Sequence, residues 1–170
     1  SALEDLEAQG MTGLVIDLRD NPGGNLDTVC DILDLILPEG TIVSTKDKNG
    51  EGETYTSDEE HKLEIPLSVL TNGNSASASE IFAGAVQDYG VGTLVGTTTF
   101  GKGIVQQIFP LTDGTSIKLT ISEYFTPKGR NIHGTGIDPD VEVEYEYNEE
   151  DPAADNQLEK AIEIVKGNGM

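Results

Sequence analysis

The chain is organised around residues 72–85, which run Asn72-Gly-Asn-Ser-Ala-Ser-Ala-Ser-Glu-Ile-Phe-Ala-Gly-Ala85. The first half has the composition of a loop, and apolar residues at a spacing of 3.6 from Ala78 onward predict a helix. Three serines alternate with alanines where the loop becomes the helix, so a hydroxyl there is approachable. The N-terminus of a helix also offers unpaired N–H groups and a partial positive charge. A serine nucleophile and its oxyanion hole fit this stretch.

A plain helix cap fits the same stretch. Serine is a common N-cap residue, and Ser77-Ala-Ser-Glu80 matches the capping-box pattern. The stretch does not have the Gly-x-Ser-x-Gly form of a nucleophile elbow. The local pattern therefore leaves the cap and the nucleophile open, and the rest of the chain has to decide between them.

Length and charge narrow the class of protein. The 170 residues are enough for one domain with a sizeable core, so residues 1–170 are predicted to form a single domain. The formal charge of −21, from 10 basic and 31 acidic residues, disfavours nucleic acid and anionic membranes as partners. Cys30 is the only cysteine, which excludes a disulfide within the chain, and its apolar helical surroundings predict core filling.

The order of elements predicts an α/β fold. Apolar runs and alternations predict strands at residues 13–18, 41–45, 54–56, 67–70, 93–96, 104–109, 115–125 and 142–147. Helical spacing predicts helices at residues 3–9, 26–37, 78–86 and 157–166. The loop at residues 19–25 ends a buried strand and contains two adjacent glycines, but it lacks the nucleotide-binding glycine patterns.

A serine nucleophile needs a base, and the chain offers few. His61 lies in a charged segment and is predicted to be exposed, so a Ser-His-Asp triad would have to use His133. Lys102 stands between two glycines just before an apolar strand, an unusual setting for a surface lysine. A lysine acts as a base at neutral pH when it is desolvated or lies near like charge. Gln106 would lie on the same side of the strand and could orient the amine.

Two backbone amides complete the candidate site. Gly23 lies in the loop before the helix at residues 26–37 and Ala78 begins the next helix, and their amides could donate two hydrogen bonds to an oxyanion. The residues alone thus allow acyl transfer by a serine and a lysine, but they leave a plain helix cap and a solvated turn lysine open.

Five motifs in this order resemble those of the carboxyl-terminal processing proteases, also called tail-specific proteases, of bacteria and chloroplasts. They span nearly the whole chain and lie at residues 13–24, 72–81, 100–106, 136–141 and 155–158. The resemblance implies a serine endopeptidase on a ClpP/crotonase-like α/β core of mixed β-sheet and packed helices. It implies no cofactor and no metal.

The resemblance also implies a role for each matching residue. Ser77 corresponds to the nucleophile, Lys102 to the general base and Gln106 to the residue that positions the lysine. Gly23 and Ala78 correspond to the oxyanion-hole amides, with Gly24 as the alternative to Gly23. The remaining matches imply structural roles, for Ser75 and Ser79 as loop and cap serines and for His133 in a glycine-rich motif.

The expected substrates are proteins or peptides with apolar C-termini, cleaved near those tails through an acyl-enzyme. The resemblance also implies an exported, periplasmic or cell-envelope location and allows a homo-oligomer. Members of the family have a PDZ domain and a first core strand before the segment that matches residue 1, and these are expected to be missing here. Two alternatives remain, a crotonase-like acyl-CoA enzyme and a non-catalytic module that binds peptide tails.

Overall fold

The computed structural model describes residues 2–58, 60 and 62–167. The elements in chain order are α1 (Ala2–Ala8), β1 (Leu14–Asp17), α2 (Leu26–Asp34), β2 (Gly40–Lys46), β3 (Thr54–Ser57), β4 (Leu67–Thr71), α3 (Ala78–Tyr89), β5 (Thr93–Gly96), β6 (Ile104–Pro110), β7 (Ser116–Phe125), β8 (Val141–Glu142) and α4 (Asn156–Gly167). The predicted α/β class is confirmed. The prediction for His61 lies outside the described residues.

The strands form two sheets of four. One sheet is parallel throughout, in the order β1-β4-β5-β8, and the other is antiparallel, in the order β3-β2-β7-β6. The mixture of strand directions expected from the sequence is therefore divided between two sheets. No described helix is long and apolar enough to span a membrane.

The parallel sheet is covered on both faces, as such sheets require. Val69 and Leu94 belong to the larger core, which α2 and α3 complete on one face. Leu70 and Val95 point the other way and pack with Ala161 of α4. Successive residues of a strand point to opposite faces, so a continuous apolar run is what a strand between two helical layers needs.

The parallel register brings three loops to one edge of the sheet. β1 and β4 align Asp17 with Leu70, and β4 and β5 align Leu70 with Val95. The loops that leave the carboxyl ends of these strands are residues 18–25, 72–77 and 97–103. This edge is the usual place for a ligand in a parallel α/β sheet, and here it collects the three central motifs.

The predicted strand at residues 142–147 is wrong beyond its start, since the structure has a strand only at Val141–Glu142. Side chains at the beginning of α4 donate hydrogen bonds to the backbone just after β8. The Gln157 amide donates to the Val143 carbonyl at 2.6 Å, and the Asn156 amide donates to the Glu144 carbonyl at 2.8 Å. These side chains take acceptors that a longer ladder would have used.

β6 and β7 form a long hairpin whose outer half is exposed on both faces. Gln106 pairs with Thr120, and Ile108 pairs with Lys118. Residues two apart share a face of a strand, so Gln106, Lys118 and Thr120 lie on one face of the hairpin.

Candidate active site

Ser77 has a backbone conformation that is rare outside glycine. It is the N-cap residue of α3 and has φ +56° and ψ −116°. Such a conformation is strained and persists only where its surroundings enforce it. The Ser77 N–H donates to Glu80 Oε2 at 2.9 Å, and the Tyr124 hydroxyl donates to the Ser77 carbonyl at 3.1 Å. The peptide groups on both sides of the Ser77 side chain are thereby held.

The three serines of the central stretch differ in what their hydroxyls do. Ser75 Oγ is buried and donates to the Leu18 carbonyl at 2.7 Å, and Ser79 Oγ is buried and donates to the Asn21 carbonyl at 3.1 Å. Both therefore fasten the loop after β1 to the start of α3. Ser77 is half-buried and lines an open cleft. It is the serine of the three that a substrate can reach there.

Glu80 is fully buried and connects the segment of Ser77 to that of Lys102. Its Oε2 accepts the amides of Ser77 at 2.9 Å and Lys102 at 2.8 Å. Its Oε1 accepts the Thr99 hydroxyl at 2.6 Å and the Gly101 amide at 2.7 Å. Four donors offset the cost of burying a carboxylate. The capping-box pattern indicated one of these bonds, and the other three were missed.

Ser77 and Lys102 line the same cleft of about 330 Å³, here called the Ser77 cleft. Gln106 also lines it, and the rest of the lining consists of Gly24, Asn25, Leu26, Ala78, Ile81, Ile104, Val105, Lys118 and Tyr124. Burial raises the pKa of the Tyr124 phenol, which keeps its hydroxyl a donor to Ser77. Among the described residues no histidine lines the cleft, and His133 is exposed.

The predicted contacts of Lys102 are not formed. No hydrogen bond within the described part of the chain joins the Ser77 hydroxyl or the Gln106 side chain to the Lys102 amine. The pairing of β6 with β7 shifts register between Val105 and Gln106, where Ile121 of β7 is the extra residue, and the Gln106 amide makes a long contact with Thr120 Oγ1 at 3.5 Å. The structure thus brings the three side chains to one cleft without joining them.

The backbone near Ser77 offers amide donors. A Cβ on Gly23, which has φ +91°, would lie 2.5 Å from the Ala76 carbonyl oxygen and 2.7 Å from the Ala78 nitrogen, so only glycine fits there. The Gly23 N–H donates to Asn21 Oδ1 at 2.9 Å. The amides of Ala78 and Gly24, by contrast, have no acceptor among the described residues, and both residues line the cleft.

An apolar pocket of about 280 Å³ adjoins the Ser77 cleft. The two cavities share Gly24, Asn25 and Ala78, and the pocket extends from there between α2, α3 and β1. Its apolar lining consists of Ile16, Leu18, Val29, Ile32 and Phe82. Ala78 thus lies where the cleft and the apolar pocket meet.

The loop after β1 is anchored at its other end by Arg19. The guanidinium pairs with Asp17 and Asp155, each at 2.7 Å, and donates to the Gln157 side chain at 2.9 Å. Arg19 holds the pKa of Asp155 below its usual range. Sequence reasoning had not assigned this role to Arg19. The network ties the loop that contains Gly23 to the first turn of α4.

Comparison with known proteins identifies the family of the chain. The family model described as peptidase family S41 matches residues 1–143. The chain is 46% identical over 169 residues to the carboxyl-terminal-processing protease of Synechocystis sp., covering 98% of this chain and 40% of that protein. It is 44% identical over 143 residues to the carboxy-terminal processing protease CtpB of Bacillus subtilis, covering 84% of this chain and 30% of that protein.

A solved structure shows the same fold. The photosystem II D1 C-terminal processing protease superposes with a TM-score of 0.78 at 37% identity, over 84% of this chain and 37% of that chain. The chain thus spans 30–40% of the length of the relatives named here. The family predicted from the motifs is confirmed: this chain belongs to peptidase family S41.

Proposed function

We propose that this chain is the catalytic core of a serine endopeptidase that cleaves proteins near their C-termini with a Ser77/Lys102 dyad. The observation that supports the proposal most is that Ser77, in a strained and held conformation, shares one cleft with Lys102 and with the free Ala78 amide. The named relatives are processing proteases, which is the activity that such a cleft suits.

In the proposed reaction, neutral Lys102 takes the proton of the Ser77 hydroxyl as Oγ attacks a peptide carbonyl. Collapse of the tetrahedral intermediate breaks the C–N bond, and the leaving amine takes the proton from Lys102. Water then hydrolyses the acyl-enzyme, with Lys102 again relaying the proton. The dyad contact, which is not formed here, has to close when substrate binds, as is common for catalytic hydrogen bonds in ligand-free structures.

The oxyanion would be held by the Ala78 amide and a second amide from the loop after β1. Gly23 was the first candidate, but its N–H is used by Asn21. Gly24 has a free amide on the same cleft. We therefore propose that Ala78 acts with Gly24, or with Gly23 once Asn21 releases it. Loss of one such donor costs about a hundredfold or more in kcat.

The substrates proposed are proteins or peptides with apolar C-terminal tails. The adjoining pocket supports this, because its apolar lining suits a medium-sized apolar side chain just before the scissile bond. The exported location implied by the motifs stays a prediction, which fractionation of the source cells would test.

The test is cleavage of an apolar-tailed peptide by the full-length protein with Ser77→Ala or Lys102→Ala. Each variant should lose turnover by about a thousandfold or more. Ser116→Ala and Lys48→Ala, at exposed positions, are the matched controls and should keep full activity. A serine-directed acylating reagent should add its mass to the protein, and Ser77→Ala should abolish the adduct.

Retained cleavage in Ser77→Ala would refute the nucleophile. Peptide binding that is unchanged by Ser77→Ala, with no turnover in the wild type, would favour a binding module. Turnover of an acyl-CoA in place of peptides would favour the acyl-CoA alternative.

A further inference from the structure

Tyr124 stands where the segment of Lys102 meets the peptide group that follows Ser77. It lies on β7, which pairs with β2 at Thr45 and Tyr124. On the other side of the strand, the Tyr124 N–H donates to the Gly103 carbonyl at 3.1 Å. The strand is thus held on both sides at Tyr124, and the residue is only 2% exposed. A group on such a paired strand is positioned more precisely than a group on a loop.

The Tyr124 hydroxyl contacts one end of a peptide group whose other end lies at the Ser77 cleft. The Ser77 carbonyl and the Ala78 N–H belong to this one peptide group, which is trans, so they point in opposite directions. Tyr124 donates to the carbonyl at 3.1 Å. The Ala78 N–H has no acceptor among the described residues, and Ala78 lines the cleft. A donor on the carbonyl polarises the peptide group and makes its N–H a stronger donor.

The Ser77 carbonyl accepts one bond more than the start of a helix requires. The N–H groups of Glu80 and Ile81 donate to it at 2.8 Å and 3.0 Å, which closes the first turn of α3. These two bonds already use both lone pairs of the oxygen. Tyr124 adds a third donor, and within the described ranges it is the side chain that contacts this oxygen. Helix formation therefore does not account for the bond from Tyr124.

The phenol suits this position because it stays neutral. Burial, and after it the charge of Glu80, raises the pKa of Tyr124. An ionised phenol could not donate, and its charge would repel an oxyanion. The neutral hydroxyl supplies a fixed dipole without adding negative charge beside the place where negative charge develops.

We propose that Tyr124 is a positioning residue whose hydroxyl orients and polarises the Ser77–Ala78 peptide group, so that the Ala78 N–H holds the oxyanion more strongly. This inference rests on the proposed function, which assigns the Ala78 amide to the oxyanion. Removing an oxyanion donor outright costs about a hundredfold to a thousandfold in kcat, and a neighbouring bond strengthens a hydrogen bond by about 10–30%. Applied to the logarithm of that loss, this share gives about two- to eightfold in kcat.

The experiment compares Tyr124→Phe with Tyr89→Phe in the full-length protein. Tyr89 lies at the other end of α3, and its hydroxyl donates to the Thr41 carbonyl at 3.0 Å. This control therefore loses the same kind of hydrogen bond away from the cleft. Cleavage of an apolar-tailed peptide is measured together with the urea midpoint. Tyr124→Phe should lower kcat about two- to eightfold at an unchanged KM, whereas Tyr89→Phe should keep the wild-type kcat.

The carbonyl of an acyl-enzyme reports the strength of the oxyanion donors. Ser77 is acylated with a reagent whose carbonyl is isotope-labelled, and difference infrared spectroscopy gives the stretching frequency of the ester. Weaker donors polarise this carbonyl less, so Tyr124→Phe should raise the frequency and Tyr89→Phe should leave it unchanged. Replacing Tyr124 with a ring-fluorinated tyrosine, whose hydroxyl is a stronger donor, should lower the frequency.

An ester frequency that Tyr124→Phe leaves at the wild-type value would overturn the inference even if kcat falls, because a role in folding alone does not change the polarisation of the ester. If Tyr124→Phe does not fold, the fluorinated variant decides, and an unchanged frequency there overturns the inference too. A protein that forms no acyl-enzyme, or one that Ser77→Ala does not remove, fails the proposed function itself. Failure of this inference alone is seen as a Ser77 ester with an unchanged frequency.

Discussion

Replacing Glu80 with glutamine tests whether this buried carboxylate holds the nucleophile and the base in one frame. Glutamine has almost the same shape, but it replaces one acceptor oxygen with an NH₂ donor. In its best orientation the remaining oxygen faces the amides of Ser77 and Lys102, and the NH₂ group faces Thr99 Oγ1, which also accepts the Ile137 N–H. The Gly101 amide then meets a donor and has no partner.

The expected loss follows from these four bonds. One hydrogen bond to a charged group is removed, worth about 1.5–3 kcal/mol, and the bonds that remain become weaker neutral ones. We expect the free energy of unfolding to fall by about 3 kcal/mol, a large fraction of the stability of a typical domain. A displacement of the Lys102 segment of about 1 Å would lower kcat/KM by about a hundredfold.

The assay combines urea unfolding, followed by circular dichroism, with peptide turnover on the same preparations. Glu149→Gln is the control for the lost charge at an exposed position, and it should change the unfolding free energy by less than about 0.5 kcal/mol. Glu80→Asp keeps the charge but is too short to reach all four donors, so it should lose activity too. A Glu80→Gln protein with the stability and turnover of Glu149→Gln would refute the reasoning.

Three further predictions concern the surroundings of the cleft. Gly23→Ala should abolish turnover and destabilise the fold by about 1–3 kcal/mol more than Gly114→Ala, because both glycines have positive φ but only Gly23 has no room for a Cβ. Asp155→Asn should lower the urea midpoint at pH 7. Arg19 depresses the pKa of Asp155 in the folded state, so the ion pair gives its full stabilisation above the pKa that Asp155 has in the unfolded state, about 3.9. This stabilisation is lost as the pH falls through the lower pKa of the folded state. Ile32→Trp should narrow the apolar pocket and shift the preference before the scissile bond from leucine toward alanine, measured as a ratio of kcat/KM.

Each of these has a clear contrary result. Equal unfolding free energies for Gly23→Ala and Gly114→Ala would show that the close approach to Ala76 is not needed. If the difference in urea midpoint between the wild type and Asp155→Asn stayed constant from pH 6 to pH 2, the ion pair would not be the cause of that difference. If the ratio of kcat/KM for leucine to that for alanine were unchanged in Ile32→Trp, the substrate side chain before the scissile bond would not lie in the pocket.

Much of the fold could be predicted because its signals are local. The continuous apolar run of β4 and the 3.6-residue spacing of α3 are properties of a few neighbouring residues, and the structure has both elements where they were expected. Prediction was wrong where a distant group intervened. The alternation after Glu142 is typical of a strand, but side chains at the start of α4 compete for its backbone.

The candidate site, too, could be predicted only in part. The motifs indicated the segments of Ser77, Lys102 and Gly23, whereas three partners of Glu80 and the contact of Tyr124 with Ser77 were missed. The Glu80 partners lie 19–22 residues away along the chain, and Tyr124 lies 47 residues from Ser77. The expectation that Gln106 orients Lys102 came from neighbours along the chain, whereas the Gln106 amide contacts Thr120 of the partner strand, where the pairing of β6 with β7 shifts register.

By itself the sequence determined that serines stand at a loop-to-helix junction and a lysine stands between glycines, since composition and spacing are properties of neighbours. Only the tertiary structure decided which hydroxyl faces the cleft. Ser75 and Ser79 find carbonyl acceptors on the loop after β1, 57 and 58 residues away, and no local pattern encodes them. The parallel register of β1 and β4 brings those carbonyls to the serines, so Ser77 is left to face the cleft that it shares with Lys102.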